Sequence, residues 1–295
     1  MYHFSDVNNI VSILETNYLY SRNLAIEKSL LKVDIASKGI ISITRNQVKS
    51  FVRLYFRPRT PTQYRNEGIR PINQRENQAH CPVPIYLMFD SAPILSLPES
   101  KFSDGNLAKK KSFYTEDIKK LFKFPFKLIY HDSFFHDENE KDRVVAHRNA
   151  EVIILGSLNL VSLKYLFCRS DAEKDTFLNL LSDKASQSWS SKIYVDSETN
   201  LFWKEWTYIE KVMLSSNYVI LQFPPDSKPP GPFTIKLERH DLITDEIISG
   251  KITPFMCAGR RTIKFKKESY EYYIKIFLDN DLVYYGYYEH DDLPF

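Results

Sequence analysis

The stretch RVVAHRNAEVIIL (143–155) sets one carboxylate, Glu151, at the head of a solidly apolar run, just behind two arginines and a histidine. Val152–Leu155, with β-branched residues and no polar alternation, predicts a strand buried on both faces. A charge entering such a strand is costly unless something pairs with it. Two readings follow. Glu151 is either a strand-end glutamate with its head in water, as charge usually is, or a paired carboxylate kept for its chemistry.

The chain around it has 295 residues, 43% hydrophobic and 26% charged, enough for one large domain plus a smaller one. Nineteen Tyr and 20 Phe against 8 Gly suit sheets and stacking surfaces better than flexible linkers. Net charge is +3, unevenly spread: residues 204–295 hold 12 Lys/Arg against 14 Asp/Glu, so the basic excess lies in 1–203. Cys81, Cys168 and Cys257 are odd in number and far apart, which fits idle thiols in a reducing compartment. No apolar span is long enough for a bilayer, and MYHFSDVNNI lacks the layout of a signal peptide. A cytoplasmic protein is expected.

Along residues 1–203 strands and small helices intermix. YHF predicts a strand and SDVNNIVSILETNYL a helix, capped by Asp6 or Asn8 and turning Ile10, Ile13 and Leu14 inward. A second helix is predicted over 24–38, and strands at SFVRLYF (50–56), PIYLMFD and KYLFC. RPRTPTQYRNEGIRPINQRENQ reads as irregular, and HDSFFHDENEKD as a polar loop. FSDGNLAKKKSFY suggests a turn entering a helix, TEDIKKLFKF a helix capped by Thr115, and SDAEKDTFLNLLSDK a capped amphipathic helix. Beyond Trp203 short alternating strands follow at regular spacing, the layout of a small antiparallel sandwich or barrel. Its clustered tyrosines, Tyr270 to Tyr288, either fill that sandwich or face a protein partner.

Nucleophile elbows, phosphate-cradling glycine loops and HExxH are absent from the sequence, and no histidine pair has metal-ligand spacing, so no metal is expected. What remains is arginine and aromatic. VRLYFRPRTPTQYR (52–65) sets Arg53, Arg57, Arg59 and Arg65 among Tyr55, Phe56 and Tyr64. Arginine forks take phosphate oxygens in pairs and aromatic faces stack on bases, so this is either a nucleic-acid contact or a solvated basic loop. KKKSFYTEDIKKLFKFPFK (109–127) interleaves lysines with aromatics in the same way.

Four blocks in order, H-x-S with NNI (His3, Ser5, Asn8–Ile10), YFRPRTP (55–61), FSDGN (102–106) and RNAEV (148–152), resemble the DarT family of nucleic-acid ADP-ribosyltransferases. The resemblance continues through RSDAEKDTFLNLL to LFW and covers about residues 1–203. It implies Glu151 as the catalytic glutamate and Arg59 as the arginine of the family's PRSP block, acting in catalysis and on the cofactor. It also implies His3, Ser5 and Asn9 on the NAD⁺-binding strand and helix. Two positions depart from the pattern: Asn106 stands where the family has His, and Arg53 where it has Pro. Arg53, Arg57, Tyr64, Arg65, Asn106 and Arg148 are the expected nucleic-acid contacts.

The implied fold is α+β, a split, curved mixed β core with small helices over 1–203, followed by a β-rich accessory domain over 204–295. The implied reaction is mono-ADP-ribosyl transfer from NAD⁺ to a base in single-stranded DNA, with RNA the runner-up acceptor. The implied setting is a toxin paired with an antitoxin protein, a macrodomain hydrolase in this family, and phage defence. A catalytically inactive nucleic-acid-binding protein and a protein-modifying transferase are the rival readings. Retention of Glu151 and Arg59 argues against the inactive one.

Overall fold

The structure is a computed structural model that describes residues 1–75, 79–107 and 114–290. Two compact units divide it: Met1–Asn66 with Ile85–Phe167 form the first, and Glu67–Arg75, His80–Pro84 and the chain from Cys168 onward form the second.

The first unit begins with β1 (Tyr2–Asp6), which runs directly into the helix Val7–Thr16. Asp6 is the cap, its side chain accepting from Asn8 N at 3.0 Å, and Asn17 ends the helix in the left-handed region at φ 57°. The inward stripe holds Ile10, Ile13 and Leu14, as the periodicity predicts, and Val7 joins it. Further strands are β2 (Tyr18–Tyr20), β3 (Phe51–Tyr55), β4 (Pro84–Phe89), β5 (Lys101–Ser103), β6 (Glu151–Leu155), β7 (Ser157–Asn159) and β8 (Leu163–Cys168). The main sheet runs β5-β6-β3-β1-β4-β8, and β2 pairs with β7 in a small ladder of its own. β6 is antiparallel to both neighbours, with Tyr55 opposite Glu151 on one side and Ser103 opposite it on the other. Val152, Ile153 and Ile154 are fully buried, as are Val52 and Leu54 on β3. Each such side chain contributes about 1.5–3 kcal/mol, which fixes the register that carries Glu151.

Several predicted elements differ. The helix expected over 24–38 is two short ones, Arg22–Glu27 and Lys38–Ile43, each capped by a serine. The segment read as irregular after Pro58 contains the helix Pro61–Asn66 and a 3-10 turn at Ile72–Gln74. Thr115 is no cap: its backbone pairs with Phe102, and Asp117 caps Ile118–Leu121 through Lys119 N at 2.9 Å. The stretch HDSFFHDENEKD is irregular over 131–137, as expected, but its last five residues open the helix Glu138–His147. There Asp137 accepts from Glu140 N at 2.8 Å while Glu140 accepts from His136 N at 2.6 Å, a capping pair that outweighs the scarcity of apolar residues. Residues 109–113 of the lysine-rich run lie outside the described residues. Of its remainder, Phe124 and Phe126 pack edge-on against Phe56, while Phe122 is exposed.

The second unit holds the helix Asp171–Leu180, capped by Ser170 as predicted, and strands β9 (Ile193–Val195), β10 (Lys211–Leu214), β11 (Tyr218–Gln222), β12 (Phe233–Asp241), β13 (Ile247–Phe255), β14 (Arg260–Lys264), β15 (Glu271–Leu278) and β16 (Asp281–Glu289). Strands β10 to β16 form two antiparallel sheets, β10-β11-β14 and β13-β12-β15-β16. Val219, Leu221, Phe223, Ile235, Ile274 and Ile276 share the core they enclose. Of the clustered tyrosines, Tyr272 and Tyr284 are buried in that core, whereas Tyr273 packs at a tilt against Tyr287, ring centres 5.1 Å apart, nearer the surface. The architecture is the expected one, α+β with a β-rich C-terminal part.

Candidate active site

Glu151 has no exposed surface, and Arg53 meets it. The two lie diagonally across adjacent strands: Arg53 is opposite Ile153 and Glu151 opposite Tyr55. A diagonal spacing of about 7–8 Å is within reach of a long side chain. Arg53 Nε donates to Oε2 at 2.6 Å and Nη2 donates to Oε1, a bidentate fork. Burial pushes the Glu151 carboxyl above its usual range, and the Arg53 guanidinium pulls it part of the way back. Burial also opposes the charge on Arg53, but the Glu151 carboxylate outweighs it and raises the guanidinium's pKa. Arg53 Nη2 further donates to Asn106 Oδ1 at 3.4 Å. The two positions that depart from the DarT pattern therefore touch each other and one of them holds the glutamate.

Arg53 also lines a cavity of about 190 Å³ with His3, Ser5 and Asn9 on one side and Leu19, Leu31 and Ile35 on others. His3 Nδ1 is 3.0 Å from Arg53 O, and a carbonyl only accepts, so Nδ1 carries the proton and Nε2 is the acceptor. Burial holds the His3 pKa below its ordinary value against the hydrogen bond to the Arg53 carbonyl, with a smaller push in the same direction from the Arg53 charge, which favours that neutral form. Asn9 works as a clip. Its Oδ1 accepts from Lys32 N (2.8 Å) and Val33 N (3.0 Å), and its Nδ2 donates to Val33 O (2.7 Å) and Ser5 Oγ (3.0 Å). Asn9 and Ser5 thereby fix the segment that roofs the cavity. A pocket that encloses a drug-sized ligand is about 300–1,000 Å³, so this one has room for only a single ring or similar part of such a ligand.

The other arginines form a separate group. Arg57 is buried, donating to Ile129 O (3.4 Å), His131 O (2.7 Å) and Asp132 Oδ1 (3.2 Å). Arg148 lies 3.7 Å from the same Asp132 and donates to Arg59 O at 3.5 Å. Burial first and Arg57 second, with Arg59, push the Arg148 pKa down to about 10 against the pull of Asp132. Such a depressed guanidinium marks a cluster that gains from an anion, and phosphate oxygens suit paired forks. Arg59 has φ 55°, a left-handed backbone that costs a non-glycine residue roughly 1 kcal/mol or more. Tyr64 and Arg65 sit exposed on the helix Pro61–Asn66. Beside Arg57 and Asp132 a polar cleft of about 700 Å³ is lined by Tyr2, Tyr130, Lys164 and Tyr165.

The structure thus brings Arg53 to Glu151 and Asn106 to Arg53, His3, Ser5 and Asn9 to the cavity, and Arg57 and Arg148 together at Asp132, with Arg59 beside Arg148. Tyr64 and Arg65 stand apart on the surface. Sequence reasoning missed Asp132, which sits in a polar loop with nothing to distinguish it. It also missed Tyr55 as a neighbour of Glu151, although the alternation of VRLYF puts Tyr55 and Arg53 on one face. Among the described residues no cluster of three or more His, Cys, Asp or Glu is placed to hold a metal, and no helix is long and apolar enough to cross a membrane.

The profile of the DarT family, described as ssDNA thymidine ADP-ribosyltransferase, matches residues 2–203. The chain belongs to the DarT family. Among solved structures, Thermus sp. 2.9 DarT in complex with ADP-ribosylated ssDNA shares the fold at 17% identity and a TM-score of 0.52, covering 68% of this chain and 95% of that one. The same Thermus DarT in complex with carba-NAD⁺ matches at 18% identity and a TM-score of 0.50, over 68% and 96% of the two chains. Thermosipho africanus DarTG in complex with ADP-ribose matches at 15% identity and a TM-score of 0.50, over 72% of this chain and 52% of that one. A comparison with curated proteins finds no match. The DarT match begins at β1, includes Glu151, and ends at Trp203, so the candidate site lies wholly within it.

Proposed function

We propose that this DarT-family chain transfers ADP-ribose from NAD⁺ to thymidine in single-stranded DNA, with Glu151 as the catalytic carboxylate. The observation that carries this reading is Glu151 itself: fully buried, ion-paired to Arg53 and adjoining, through Arg53, a cavity with polar groups. Breaking the nicotinamide–ribose bond sends the bonding electron pair out with neutral nicotinamide and leaves an oxocarbenium-like ribose. A carboxylate beside the ribose stabilises that charge. The acceptor nitrogen then supplies the electron pair of the new bond to C1′ and loses its proton, to Glu151 or to water.

His3, Ser5 and Asn9 shape the nicotinamide end, His3 by offering Nε2 as an acceptor. Arg59 and Arg148 hold phosphate oxygens of the NAD⁺ or of the DNA strand, while Arg57, its donors spent on backbone carbonyls and Asp132, braces that cluster. Tyr64 with Arg65, and Tyr130 with Tyr165 in the polar cleft, offer stacking faces and charge to unpaired bases. Residues 2–203 act as the catalytic region and 204–295 as an accessory part. The setting that the family resemblance implies, and that we read for this chain, is a toxin working in the cytoplasm beside an antitoxin partner of the macrodomain class, in phage defence. RNA is the alternative acceptor, motivated by Arg53 and Asn106 at the glutamate. Labelled NAD⁺ offered with single-stranded DNA, RNA and total protein tests the assignment. Label is expected on thymidine-containing DNA, and label confined to RNA or protein would replace the acceptor named here.

A further inference from the structure

We propose that Arg53 is a positioning residue for Glu151, holding the carboxylate oriented and ionised through a fork that only an arginine at this diagonal site supplies. The proposal rests on the reading of Glu151 as the catalytic group. Arg53 is anchored at both ends. Its carbonyl takes the His3 Nδ1 proton at 3.0 Å, and its Nη2 reaches Asn106 Oδ1 at 3.4 Å as well as Oε1 of Glu151. The fork engages each carboxylate oxygen once. An ionised carboxylate has about four lone-pair positions, so each oxygen keeps one for a substrate hydroxyl. Glu151 is enclosed, whereas the Arg53 side chain is 29% exposed. The substrate therefore reaches the carboxylate by shifting Arg53 along its flexible stem, with one bond of the fork retained.

The charge balance around Glu151 depends on that one cation. From β3 it faces Arg53 and the phenol of Tyr55, and from β5 the uncharged Ser103. Asn106 in the turn after β5 is neutral, and His147 Nδ1 donates to Asp104 O at 2.7 Å with the Asp104 carboxylate 4.0 Å away. His3 on β1 meets the backbone of Arg53 and is held neutral. Among the described residues, Arg53 is the cation whose charge acts on the carboxylate. Removing it leaves a buried carboxylate without a counter-charge, which raises its pKa and depletes the ionised form at neutral pH.

The test is the pH profile of nicotinamide release from NAD⁺ with a thymidine-containing single strand, for the wild type, Arg53→Lys and Arg53→Met. The acid limb of the Arg53→Met profile should move up by about one to three pH units, its rate recovering at alkaline pH. Arg53→Lys, which keeps the charge but not the fork, should fall between the two. An acid limb that stays in place while the whole profile drops would overturn the proposal. If Arg53→Met does not fold, the Arg53→Lys limb decides alone: displaced upward supports it, unmoved overturns it. Glu151→Gln runs alongside. A folded Glu151→Gln protein that keeps its rate overturns the catalytic reading itself, an outcome distinct from an unmoved acid limb.

Discussion

Two buried arginine–glutamate pairs, one in each compact unit, share a chemical make-up and differ in surroundings. In the second unit Arg169 and Glu173 sit four residues apart at the start of a helix, with 0% and 2% of their side chains exposed. Arg169 also donates to Pro82 O at 3.0 Å, faces Glu67 at 3.5 Å and stacks on Tyr208 at 4.5 Å. Glu173 in turn accepts from the backbone of Arg169 at 3.1 Å. Every side of that pair is filled by protein. In the first unit Arg53 and Glu151 come from positions 98 residues apart, and Arg53 opens onto a cavity. Burial pushes both carboxyls up, Glu173 to about 7, and both arginines hold them down. A raised carboxyl in an ion pair therefore does not by itself mark a site. What separates the two is that one pair has a face a substrate can approach.

The largest effect expected from this contrast is structural. Arg169→Met leaves Glu67 and Glu173 buried without their cation and should cost about 3–5 kcal/mol of stability, read as a lowered midpoint in urea. Transfer activity per folded molecule should be unchanged. A second prediction sharpens the substrate side: annealing a complementary strand should cut label transfer at least tenfold, because stacking worth about 1–3 kcal/mol per base needs unpaired faces. Equal labelling of duplex and single strand would show that the exposed tyrosines and arginines of the first unit do not read splayed bases. The smallest effect belongs to Asn9→Ala. Loss of the clip on Lys32 and Val33 should weaken NAD⁺ binding by about 1 kcal/mol, or roughly fivefold in KM, with kcat little changed. An unchanged KM would separate the roofing segment from the dinucleotide.

The first helix, the strands around Glu151 and the β-rich C-terminal part were legible because apolar spacing, caps and alternation are local signals. Asp6 before VNNI and Ser170 before DAEK are examples, each with its acceptor where the sequence predicts it. The helix Glu138–His147 was hidden by its charge, although Asp137 and Glu140 spell the capping pattern three residues apart. Glu151 stood out from its apolar neighbours, and its burial answers the choice left open by the sequence: its head is not in water. Its partner did not stand out. Arg53 meets Glu151 through the β3/β6 register, and pairing between strands so distant in the chain leaves no local trace. Arg57 shows the converse: an arginine in a basic, aromatic stretch that spends its donors on the backbone of Ile129 and His131.

The most direct test of this contrast sets Glu151→Gln beside Glu173→Gln and measures transfer of labelled ADP-ribose from NAD⁺ to single-stranded DNA per folded molecule. Glu151→Gln should lose at least about a hundredfold while remaining folded, the loss expected when a group that stabilises transition-state charge is removed. Glu173→Gln should keep the wild-type rate per folded molecule while melting earlier. Full transfer by folded Glu151→Gln, or a Glu173→Gln protein that is folded but inactive, would contradict the account.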